Sequence, residues 1–168
     1  NEKTIPTFNA IVNTLRSIPF IILMIAALPL TRLIIGTGIG DTATLVPLSL
    51  AATPFFARLT ESALKKLPQG LIEASIAMGA TTPAIVFRIL LPEAAADLIR
   101  SITITLIALI GYSAMAGAIG AGGLGSFAIQ YGYERYDTHV MLLTVAVLIF
   151  LVQLIQTLGD HIARQFTH

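Results

Sequence analysis

From Val140 to Leu158 the chain carries no charged side chain, and its polar residues there are confined to Thr144, Gln153, Gln156 and Thr157. A helix needs roughly 20 such residues to cross a bilayer core of about 30 Å. Three more apolar runs precede it. The first, Ile18 to Ile35, is interrupted by Pro29 and Arg32; the second, Ala43 to Ala57, contains Pro47 and Pro54; the third is Ile102 to Ile119. The first two are short as uninterrupted runs, and they lengthen if Arg16 and Arg58 snorkel to the interface. Internal prolines free backbone carbonyls that neighbouring helices in a bundle can satisfy. The expected fold is all-α: a polytopic membrane helix bundle forming one transmembrane domain over residues 1–168. Its spans are placed at about 10–35, 43–65, 94–119 and 139–162, with a polar loop at about 66–93.

Composition agrees. Charged residues make up 11% of the chain and mean hydropathy is +0.85, whereas a soluble domain is about one quarter charged. A net charge of +1 offers no basic field, so nucleic acid is not an expected partner. Without cysteine there is no disulfide framework, thiol nucleophile or cysteine metal site. His139, His161 and His168 lack metal-ligand spacing, and Asp160-His161 has no nucleophile in a motif beside it. No metal or cofactor is expected. No G-x-x-x-x-G-K-[ST] occurs, so ATP would not be bound through a P-loop. Gly120 to Gly125 fits G-x-G-x-x-G, but a dinucleotide site needs a preceding strand and this run follows a membrane helix. A tight extracytoplasmic turn with close helix packing is the expectation, with a share in an outer gate as its functional form. Tyr131, Tyr133 and Tyr136 suit a membrane interface.

Lysine and arginine placement sets the orientation. Four crossings put Lys3, Arg16, Arg58, Lys65, Lys66, Arg88, Arg100 and Arg164 on one side, and Arg32 and Arg135 on the other. The excess assigns both termini and the 66–93 loop to the cytoplasm. The chain opens Asn-Glu-Lys-Thr with neither initiator Met nor signal peptide, as a piece of a longer chain would.

The central loop is patterned. Gly70 to Gly79 has helical spacing, with Leu71, Ile72, Ser75, Ile76, Met78 and Gly79 on one broad face. Glu73 is assigned to the first turn, where a carboxylate favours the helix dipole. Ala74, Ser75 and Ala77 are small enough for a partner surface to approach, and Gly79 can end the helix in a left-handed conformation. Thr82 is expected as the next helix cap, with Pro83 at the first helical position and Pro92 bending or breaking that helix. An amphipathic helix lying on lipid would carry a basic polar face, yet this stretch has no Lys or Arg. Docking to a protein is the preferred reading.

The series Glu73-Ala74-Ser75, Gly79, Ile89, Leu91-Pro92 resembles the EAA loop of ABC-importer permeases, with Ser75 where that family usually has a second Ala. Arg16-Ser-Ile-Pro-Phe20, Gly70-Leu-Ile-Glu-Ala-Ser75, Ala77-Met-Gly-Ala-Thr81, Gly111-Tyr-Ser-Ala-Met115 with the following glycines, and Gln130-Tyr-Gly-Tyr133 are similar to methionine-uptake permeases. The likeness covers essentially the whole chain. It implies a multi-pass permease of the bacterial inner membrane with a cytoplasmic C-terminus, and a type I helix bundle from which an N-terminal span is missing. It also implies a homodimer, two copies of a separate ATPase subunit that hydrolyses the ATP, a periplasmic or lipoprotein substrate-binding protein, and surrounding membrane lipid. Glu73, Ala74, Ser75, Gly79, Ile89, Leu91 and Pro92 would couple to the ATPase. Tyr112, Ser113 and Met115 would line the substrate path, each also open to a plain packing role. Arg16 and Asn13 could line the path too, although for Arg16 interface anchoring is preferred. Two alternatives stand beside a methionine permease: an ABC permease for another amino acid or small polar solute, and an ion-driven carrier. The carrier would need an intramembrane carboxylate, and the acids fall outside the four apolar runs.

Overall fold

Proline and glycine set the breaks in an otherwise helical chain. The computed structural model describes residues 12–14 and 16–166, and among these no strand occurs. The chain turns out of helix at Ile18 and Pro19, where Pro19 is extended (φ −54°, ψ 137°). Helix α1 (Phe20–Ala26) follows, then a kink at Ala27, then α2 (Leu28–Ile35) with Pro29 in its first turn, where its missing N–H costs nothing. Gly36 ends α2 at φ 86°. Helix α3 (Asp41–Lys65) accommodates Pro47 and Pro54, both buried against neighbours. After α4 (Gln69–Ala77) come α5 (Thr82–Ile85), a π-helical turn (Val86–Leu90), α6 (Leu91–Glu93) and α7 (Ala95–Ala116). A second π turn (Gly117–Ala121), α8 (Gly123–Phe127) and a third π turn (Ala128–Tyr133) lead to α9 (Thr138–Gln165). Asp137 caps α9, its carboxylate accepting from the His139 and Val140 amides at 3.0 and 3.2 Å.

Helices α3, α7 and α9 are long and apolar enough to cross a membrane, with mean hydropathies of 1.2, 1.7 and 2.4. The first apolar run does not reach that length as one helix, because Pro19 and Ala27 divide it.

One local expectation needs correction. Thr82 is the first helical residue and not a cap; Thr81 occupies the cap position and makes no side-chain cap bond. Helical geometry lapses beside Pro92, as expected: Ala94 (φ −84°, ψ 0°) separates α6 from α7. The Ala94 amide still bonds the Leu90 carbonyl at 2.9 Å, and the Leu98 amide bonds the Ala94 carbonyl at 2.9 Å. The π turn just before Pro92 widens the backbone, which is how a helix absorbs a residue lacking an N–H.

Helix α7 is the centre of the bundle, packed on one side by α3 and on another by α9. Its contacts are made by small and hydroxylated residues. Ser101, Thr103, Thr105, Ala116, Thr144 and Ala163 are buried, while Leu142, Leu143, Ile149 and Phe150 face outward. That inversion of a soluble core fits a lipid solvent, where close backbone approach replaces hydrophobic burial as the driving force. The buried hydroxyls are satisfied within their own helices: Thr103 donates to the Ile99 carbonyl at 2.9 Å, Thr105 to Ser101 at 2.7 Å, and Thr144 to Val140 at 2.8 Å. Gly159 of α9 lies so close to Thr103 that a Cβ there would collide with the threonine side chain.

Candidate functional site

The loop begins and ends at one cluster of charges. Lys66 Nζ, just past α3, lies 3.1 Å from Asp97 Oδ2 in the first turn of α7, and Arg100 bonds the other oxygen at 3.1 Å. Along α3, Glu61 pairs with Arg58 at 2.6 Å and with Lys65 at 2.5 Å. Each bridge is partly exposed, so solvent screens it. The Lys66–Asp97 pair ties the two ends of the loop together. The Lys66–Asp97 pair spans 31 positions, so no local sequence pattern announces it.

Between these ends, α4 stops in a Schellman motif. The Gly79 amide bonds the Ile76 carbonyl at 2.9 Å and the Ala80 amide bonds the Ser75 carbonyl at 3.1 Å. Gly79 takes φ 80°, which explains why a glycine stands there. Two details of the sequence reading change. The helix starts at Gln69, so Glu73 lies past the first turn, where the dipole effect fades. Ser75 is buried in its own chain, its hydroxyl donating to the Leu71 carbonyl at 2.6 Å. The broad face is therefore split. Leu71 and Ile72 are half-buried; Glu73, Ala74, Ile76, Ala77, Met78 and Gly79 are exposed, with Ile76 at 60% and Met78 at 79%. The result is two large apolar side chains standing out beside small residues, on a helix with no Lys or Arg. Of the other loop residues, Pro92 is exposed, Ile89 and Leu91 are half-buried, and Phe87 is exposed at 69%.

The residues assigned to the substrate path separate along α7. Tyr112 stacks on Phe20 of α1, with ring centroids 4.7 Å apart and planes at 17°, and joins the core of Phe20, Met24 and Ala116. Ser113 lines an apolar groove of about 620 Å³ between α3, α7 and α9. Met115 is 51% exposed. Arg16 and Tyr112 share a smaller cavity of about 140 Å³ with Phe20 and Phe55. Sequence reasoning missed that grouping, because Arg16, Phe55 and Tyr112 come from three separate segments.

The glycine run after α7 folds the chain back on itself. A Cβ on Gly125 would strike the Ala114 backbone, and one on Gly117 would strike the backbone of Ser126. Gly120, Gly122 and Gly123 take φ of 92°, 72° and 75°. The carboxylate of Asp41, at the start of α3, rests against Gly122, 2.6 Å from the position a Cβ would take.

Over residues 6–168 the sequence matches the family described as binding-protein-dependent transport system inner membrane component. It is 54% identical to the probable D-methionine transport system permease protein MetI of Vibrio cholerae over 159 residues, 95% of this chain and 71% of the relative. It is 46% identical to the methionine import system permease protein MetP of Bacillus subtilis over 164 residues, 98% of this chain and 74% of the relative. Its backbone superposes with a TM-score of 0.97 on a chain of the MetNI methionine ABC transporter in an inward-facing conformation. That chain is 55% identical, and the match covers all of this chain and 78% of the solved one.

Proposed function

The chain belongs to the family of inner membrane components of binding-protein-dependent transport systems, and from that premise we propose how it moves its substrate. It is the membrane permease subunit of a methionine ABC importer. ATP is hydrolysed by a separate ATPase chain, two copies of which engage a permease dimer. The helix α4 is the part each ATPase subunit grips. Glu73, Ala74, Ile76, Ala77, Met78 and Gly79 meet the partner. Ser75, buried among them, bonds back within α4 to the Leu71 carbonyl, and Ile89, Leu91 and Pro92 carry the displacement toward α7. The observation that carries this reading is the exposure of Ile76 and Met78 beside small residues on a helix without cations. Apolar anchors in close contact are what dominate protein interfaces. Affinity purification of the permease from membranes should bring down an ATPase in stoichiometric amount; recovery of the permease alone under mild detergent would oppose the reading.

The first crossing, through α1 and α2, is broken at Ala27; the others are about 43–65, 94–119 and 139–162, with residues 66–93 and the C-terminus in the cytoplasm, and a binding protein delivers substrate from outside. The cations at Lys65, Lys66 and Arg100 support this side for the loop. The chain has no cysteine, so Lys66→Cys and Thr138→Cys each report one position. An impermeant thiol reagent added outside should label only position 138. Labelling of position 66 from outside would invert the topology.

Substrate passes at the dimer interface along the Met115 face of α7. Met115 is half-exposed in the single chain, as a residue facing a pathway or a second copy would be. Met115→Arg should leave ATPase attachment and ATP hydrolysis intact and stop methionine uptake. An assembled Met115→Arg complex that transports at the wild-type rate would remove this face from the path; loss of assembly would make Met115 a packing residue.

A further inference from the structure

The cavity beside the break in the first apolar segment has a composition unlike the rest of the bundle. Its walls include Arg16, Ile18, Phe20, Ala51, Phe55 and Tyr112, around about 140 Å³. The Arg16 guanidinium carbon lies 5.9 Å from the Phe55 ring centroid, and Phe20 and Tyr112 stack at 4.7 Å to form the facing aromatic wall. Among the described residues, Arg16 makes no ion pair with a carboxylate. The backbone here is not helical at Ile18 and Pro19. At membrane depth such backbone persists only where protein buries it or where it lines a wet cavity. The groove of about 620 Å³ offers a contrast, since its side chains are leucines, isoleucines and alanines with only Ser49 and Ser113 as polar groups. An amino-acid zwitterion would lose its hydration there without a charged partner.

Resting on the reading of the chain as a methionine permease, we infer that the Arg16 cavity is a binding station for the substrate partway along its route. Arg16 takes the α-carboxylate. A guanidinium suits that role because it stays charged and pairs with a carboxylate through two parallel N–H donors. The Phe20, Phe55 and Tyr112 rings take the thioether side chain, whose polarizable sulfur is favoured near ring edges. Free amino acid is the occupant this chemistry selects. A substrate without the carboxylate would leave the guanidinium unpaired, and a larger peptide would not fit.

The absence of cysteine allows a direct occupancy measurement. Ala51→Cys places the chain's one thiol in the cavity wall, and Ile18→Cys reads the same space from the helix break if the first variant misfolds. In the complete complex with its ATPase, a small thiol reagent modifies this cysteine at a rate set by the free fraction of the cavity. Methionine at ten times its Kd should slow modification about tenfold, following 1 + [L]/Kd. Methioninol, which keeps the thioether and lacks the carboxylate, should not protect. Adding Arg16→Gln should abolish protection by methionine, and Arg16→Lys should retain part of it. Equal protection by methioninol, protection that survives Arg16→Gln, or none from saturating methionine would each overturn the site. ATP-driven methionine uptake by the wild-type complex tests the permease reading separately, so failure there with protection intact would leave the cavity and remove the transport role.

Discussion

Gly79→Trp should bring methionine uptake to background while the permease remains in the membrane. Two effects combine. Gly79 sits at φ 80° in the Schellman motif that ends α4, where an L residue costs about 1–2 kcal/mol. The indole would also stand on the exposed face beside Met78, where the ATPase is proposed to close on small residues. Within the chain itself there is room, for no atom lies within 4 Å of the position a Cβ would take. The bundle should therefore survive and the docking should fail. Loss of one anchor contact of about 2 kcal/mol weakens attachment roughly thirtyfold. Two controls separate bulk from strain. Gly79→Ala carries the backbone strain without the bulk and should keep most uptake. Ala77→Trp carries the bulk on ordinary helical backbone and should lose it. Normal ATPase pull-down and wild-type uptake by both tryptophan variants would end the docking role of α4.

Gly125→Val should be the most damaging small substitution in the bundle. Gly125 is buried, and its missing Cβ is what lets α8 lie against the backbone of Ala114 in α7. The obstruction is backbone, so no side-chain rotation relieves it. Overpacking of this kind costs about 1–3 kcal/mol. The upper end lowers the midpoint of thermal unfolding by roughly 6–12 °C in a chain of this size. Gly111→Ala serves as the control, since no atom lies within 4 Å of its added methyl. Gly111→Ala should unfold at or slightly above the wild-type midpoint. Equal midpoints for Gly125→Val and wild type would show that the fold-back of α8 does not hold the C-terminal end of α7.

Much of the fold was legible because membrane helices announce themselves by length and hydropathy. The run from Val140 to Leu158 became the middle of α9, and Ile102 to Ile119 marked α7 although that helix ends at Ala116. The first segment was less legible. Its apolar residues continue through Pro19 and Ala27, and composition does not distinguish one helix from two short ones and a break. Pro92 was readable as a helix interruption, but the π turn that precedes it leaves no mark in the sequence. In the loop, Gly79 was readable because only one backbone geometry makes a glycine useful at that point. The inward turn of Ser75 was not, since a small residue fits a partner surface or a buried contact equally well. The Lys66–Asp97 tie and the Arg16 cavity depend on which helices become neighbours, which no local spacing encodes.

Vesicles containing the permease, its ATPase and the binding protein give the most direct test of the transport mechanism. Labelled methionine should accumulate against its gradient when ATP is supplied on the ATPase side, and accumulation should vanish when the ATPase is omitted or ATP is replaced by a non-hydrolysable analogue. A proton or sodium gradient alone should drive nothing, since none of the acidic residues falls within the apolar runs. Methionine accumulation driven by an ion gradient in vesicles depleted of ATP would contradict it.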